Sequence, residues 1–72
     1  MAHTLTKMQG YVKWFNTLAG LGAIEVEGHP DVYFNREGLQ AATGTVAEGE
    51  LVEFELAEDR QTPRAVNVVP LD

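Results

Sequence analysis

Three short runs of β-branched and aromatic residues crowd the stretch from Gly10 to Arg36, and turn-forming residues separate them. The first, Gly10-Tyr11-Val12-Lys13-Trp14-Phe15-Asn16, has a strand's composition. Thr17-Leu18-Ala19-Gly20 then turns the chain, with Gly20 free to take positive φ. In Gly22–Glu27, Ile24 and Val26 alternate with Ala23, Glu25 and Glu27, which predicts a second strand. Gly28-His29-Pro30 reads as a turn, because proline ends strand pairing. Asp31–Asn35 is the third strand, sending Val32 and Phe34 to one face and Tyr33 and Asn35 to the other. No helical period interrupts this pattern, so the chain is organised as sheet.

The remainder extends it. Arg36–Leu39 suits one helical turn, followed by a loop over Gln40–Glu48. Leu51–Leu56 alternates most clearly, with Val52, Phe54 and Leu56 inward and Glu53 and Glu55 outward. Glu58–Pro63 is a polar connector, and Arg64–Val69 is a fifth strand with Val66 and Val68 as core candidates, stopped by Pro70. Met1–Lys7 lacks a pattern and reads as a loose terminus of a single domain spanning residues 1–72. Five short strands predict an all-β fold, a small barrel closed on itself so that no edge is left unpaired.

Composition narrows the function. A chain of 72 residues buries only about 60% of the surface its unfolded form exposes. It contains no cysteine, which removes disulfides and thiolate zinc sites. His3 and His29 lack metal-ligand spacing, and no cofactor is implied. Without serine or cysteine the commonest nucleophiles are missing, and an enzyme is not expected. Gly20-Leu21-Gly22 is not a dinucleotide loop, since Glu25 stands where the third glycine belongs. No apolar run reaches the length of a membrane span or signal core, so a soluble, cytoplasmic protein is expected.

The formal net charge of −6 disfavours phosphate approach, but its distribution is uneven. Six of the eleven acids fall between Glu48 and Asp59, whereas Lys7, Lys13 and Arg36 share residues 1–37 with four. One neutral or mildly basic face on an acidic body is compatible with that arrangement.

Over roughly Lys7 to Pro70 the chain resembles the bacterial cold-shock domain, a five-stranded antiparallel OB-type barrel that binds single-stranded nucleic acid. Lys13-Trp14-Phe15-Asn16 is that family's opening strand word for word. Gly20 and Gly22 match the glycines of its first motif, close to Lys-Gly-Phe-Gly-Phe-Ile. Asp31-Val32-Tyr33 matches the start of its second, close to Val-Phe-Val-His-Phe. The departures concern aromatic platforms. Ala19, Leu21 and Ala23 stand for a lysine and two phenylalanines, and Asn35 and Arg36 for a histidine and a phenylalanine. A later loop phenylalanine has no counterpart between Gln40 and Glu48.

The resemblance implies weak, sequence-tolerant binding of single-stranded RNA or DNA and an RNA-chaperone-like or regulatory role. Trp14, Phe15 and Tyr33 would stack on bases, and Lys13 would meet phosphate. Asn16, Asp31 and Asn35 would supply hydrogen bonds, while Leu21 and the Arg36 guanidinium could each contact a base. Each base–aromatic stack contributes about 1–3 kcal/mol, so losing three or more costs several. Structural alternatives exist for several positions: a core tryptophan or tyrosine at Trp14 and Tyr33, a solvated Lys13, and turn-capping Asn16 and Asp31. Arg64 has a minority reading as a phosphate contact. The rival function is a protein-binding or homodimerising surface made by Trp14, Leu21, Ala23 and Tyr33.

Overall fold

The computed structural model describes residues 6–40, 44–58 and 63–71. Five strands, β1 (Thr6–Asn16), β2 (Leu21–Val26), β3 (His29–Asn35), β4 (Leu51–Glu58) and β5 (Pro63–Pro70), close into a barrel in the order β1-β2-β3-β5-β4. The pairing is antiparallel except between β3 and β5, which run parallel and meet at Tyr33 and Arg64. A 3₁₀ turn, Arg36–Gly38, follows β3 where a single helical turn was expected.

β1 is the strand that joins the two halves of the barrel. Thr6 to Tyr11 pair with β4, and Tyr11 to Asn16 pair with β2. Crossing from one partner to the other requires close approach at Gly10. A β-carbon there would lie 2.6 Å from Ile24 Cγ2 and 2.7 Å from the Glu25 carbonyl oxygen. Residues 1–5 of the expected loose terminus lie outside the described residues, but Thr6 and Lys7 belong to β1, opposite Leu56 and Glu55. Ladder partners on β4 order a segment whose side chains are too polar to announce a strand.

The alternation expected of β3 and β4 holds: Val32, Phe34, Val52, Phe54 and Leu56 are all buried. With Val12, Ile24 and Val68 they fill the barrel, each large side chain contributing about 1.5–3 kcal/mol relative to exposure. Two expectations need correction. The β2–β3 turn is Glu27-Gly28, and His29 already pairs with Val26. Pro30 is tolerated inside β3 because it falls in an irregular register where it has no ladder partner.

The second correction concerns β5, where the core residues are Ala65 and Val68, and Val66 is only half-buried. Glu55 faces Val66 while Glu53 faces Val69, so β5 carries one extra residue there. Asn67, at φ 54°, makes the bulge, and a core spacing of three replaces the expected two.

Candidate nucleic-acid interface

Register assembles the first three strands into rows. Phe15, Gly22 and Phe34 are cross-strand neighbours, as are Trp14, Ala23 and Tyr33, and Asn16, Leu21 and Asn35. A β-carbon on Gly22 would lie 2.5 Å from Phe34 Cζ and 2.9 Å from Phe15 Cδ1, so that row points inward. The missing side chain leaves room for the Phe15 and Phe34 rings to stack, 5.6 Å between centroids and 5° from parallel. Alternation therefore sends the other two rows to the outer face.

On that face Trp14 is 38% exposed, Tyr33 47% and Leu21 51%. Trp14 is thus a surface residue. Ala23, between the two aromatics, has no accessible area at all. It faces outward but lies between larger neighbours, so the expectation that it adds to an apolar patch is corrected. Phe15 is half-buried and packs against the core, presenting less of its ring than the expected role as a platform supposes.

The polar residues are largely engaged within the protein. Lys13 Nζ reaches across β2 to Asp31 Oδ2 at 2.8 Å. The hydrogen bond to Asp31, and then its charge, raise the lysine's pKa above the ordinary value. Asn16 Oδ1 accepts from the backbone N–H groups of Leu18 and Ala19 at 3.0 and 3.1 Å, closing the β1–β2 turn. Asn35 Oδ1 accepts from the Gly38 N–H at 3.0 Å and caps the 3₁₀ turn.

Arg36 is folded against the β1–β2 turn. Its Nη2 donates to the Thr17 carbonyl, its backbone N–H donates to the Gly20 carbonyl at 2.8 Å, and its guanidinium covers Gly20. It braces the hairpin in this structure, where sequence suggested a free group for stacking.

Lys13, Trp14, Asn16, Leu21, Asp31, Tyr33 and Asn35 consequently share one surface across β1–β3, with Phe15 beneath its edge and Arg36 at the turn. Sequence reasoning did not find the Lys13–Asp31 pair or the cover over Ala23. Both arise between strands, and no local pattern signals them. Among the described residues no group of His, Cys, Asp or Glu is arranged to hold a metal ion, and no helix is long and apolar enough to cross a membrane.

Residues 8–71 match the family described as the 'Cold-shock' DNA-binding domain. This chain is a member of that family. It is 47% identical over 64 residues to Cold shock protein CspA of Staphylococcus aureus (strain USA300), covering 88% of this chain and 97% of the relative. The Cold shock protein CspA of Staphylococcus epidermidis is also 47% identical, over 68 residues. A solved structure, the drosophila Unr CSD456, superposes with a TM-score of 0.78 at 16% identity, over 93% of this chain and 27% of that longer one. That likeness concerns the fold, an OB-type barrel. The cold-shock chain is accordingly a nucleic-acid-binding protein of this type, with a reduced set of aromatic side chains.

Proposed function

We propose that this cold-shock chain binds single-stranded RNA or DNA on the outer face of β1–β3, weakly and with little sequence preference, and acts as an RNA-chaperone-like holder of open strands. The observation that carries this reading is the pair of exposed rings, Trp14 and Tyr33, in one cross-strand row. Bases of any identity have a π-face to lay on such rings, which makes the contact sequence-tolerant. Leu21 offers an apolar surface beside them, and Phe15 a partial one. Asn16, Asp31 and Asn35 would hydrogen-bond base edges with whatever capacity their internal contacts leave.

Two full stacks contribute about 2–6 kcal/mol together. Lys13, already paired to Asp31, adds little to this, and the dissociation constant is expected to be on the order of micromolar or weaker.

Titrating Trp14 fluorescence with a pyrimidine-rich single-stranded oligonucleotide tests the reading. Quenching that weakens as salt rises is the expected outcome. A flat response up to high micromolar ligand in low salt would sink it. That result would favour the other use of Trp14, Leu21 and Tyr33, as an apolar surface for a protein partner or a second copy.

A further inference from the structure

We infer that Arg64 is the principal phosphate anchor of this surface, so that the nucleic-acid path runs from β1–β3 across onto β5. The inference rests on the proposed binding face and extends it by one strand. Tyr33 and Arg64 are direct neighbours in the parallel β3–β5 pairing. Val32 and Phe34 flank Tyr33 and are buried, and buried Ala65 follows the exposed Arg64. Alternation on both strands therefore places the Tyr33 ring and the Arg64 side chain on the outside of the barrel. Trp14, Ala23, Tyr33 and Arg64 form one row across four strands, about 14 Å long at ordinary strand spacing.

The other described cations are less available. Lys13 is paired with Asp31 at 2.8 Å, and Arg36 is bonded to the Thr17 carbonyl. Lys7 stands opposite Glu55 on the β1–β4 ladder, away from β2 and β3. The Arg64 guanidinium has no ion pair or hydrogen bond among the described residues. Among the described residues, a phosphate arriving beside Tyr33 can meet Arg64 without first breaking an internal contact. The guanidinium fork also suits phosphate oxygens. A base stacked on Tyr33 has its backbone within reach of this arginine, which ties the cation to the stacking row.

The test is a salt series of Trp14 fluorescence titrations with oligothymidylate, comparing the parent chain with Arg64→Gln, Arg64→Lys and Lys13→Gln. Each phosphate neutralised on a single strand contributes a slope of about −0.7 in log K against log salt. Arg64→Gln is expected to lower affinity several-fold and to make the slope shallower by about 0.7, equally for different base sequences. Arg64→Lys should restore the slope, and Lys13→Gln should change it less than Arg64→Gln does. A folded Arg64→Gln variant with the parent's slope and affinity would overturn the role of Arg64 while leaving the binding face intact. A parent chain that does not respond to the oligonucleotide would overturn both.

Discussion

At the scale of single residues, the site is shaped as much by what its side chains already hold as by what they offer. Asp31 keeps Lys13 occupied at 2.8 Å. Asp31→Asn is expected to release the lysine, raising oligonucleotide affinity at low salt and steepening its salt dependence, both measurable by titration at several ionic strengths. Lower affinity in a folded variant would show that the carboxylate serves the ligand more than it restrains the lysine. The pair also has a pH signature. Lys13 has a raised pKa because of Asp31, so its contribution to stability is complete below the ordinary lysine value. It is lost as pH rises through the raised one. The stability difference between the parent chain and Asp31→Asn should therefore shrink as pH rises through the alkaline range, which denaturation across that range reads.

Gly22 is the other decisive residue. Its β-carbon would sit 2.5 and 2.7 Å from two atoms of the Phe34 ring and 2.9 Å from Phe15. Gly22→Ala is expected to cost about 1–3 kcal/mol through overpacking, seen as a lower urea midpoint. Unchanged stability would mean the stacked pair of rings yields more easily than their burial suggests. Tyr33 as an exposed residue was legible in the sequence, because Val32 and Phe34 fix the inward phase of β3. Trp14 was legible only from its place in Lys13-Trp14-Phe15-Asn16, since strict alternation from buried Val12 would turn it inward, and a bulge between Val12 and Trp14 turns it out. The Arg36 brace was not, since its partner carbonyl belongs to Thr17 on another turn.

At the scale of elements, alternation identified all five strands but misplaced several boundaries. Thr6 and Lys7 joined β1 through partners on β4 that lie far along the chain. Pro30 entered β3 where no ladder bond was required of it. Val66 yielded its core place to Ala65 because Asn67 adds a residue to β5. Asn67 also accepts from Gln40 Nε2 at 2.9 Å and donates to Glu55 Oε1 at 2.7 Å. These contacts hold a backbone conformation that most side chains avoid at a cost of about 1–2 kcal/mol. Asn67→Ala should accordingly lower stability by about 1–2 kcal/mol, and Asn67→Gly by less, since glycine accepts that φ. Equal losses would assign the effect to the side-chain bonds alone.

At the scale of the whole molecule, an acidic barrel presents its exposed aromatic row on β1–β3 beside the parallel seam with β5. Closure of the barrel brings Arg64 next to Tyr33, although thirty residues separate them in sequence. The fold was legible from strand composition and turn spacing, and the family from Lys13-Trp14-Phe15-Asn16 and the two glycines. The pairing of Tyr33 with Arg64 was not, because parallel pairing leaves no local trace, and Arg64 had only a minority reading as a phosphate contact. Nucleic acid is proposed to lie along that row. Amide chemical-shift mapping with a short single-stranded oligonucleotide tests it most directly. Trp14, Ala23, Tyr33 and Arg64 are predicted to shift together and saturably, while Gln9, Tyr11 and Leu51 at the groove beside β4 stay in place. Shifts centred on that groove, with the Trp14–Tyr33 row unmoved, would place the ligand elsewhere and overturn the proposed binding face.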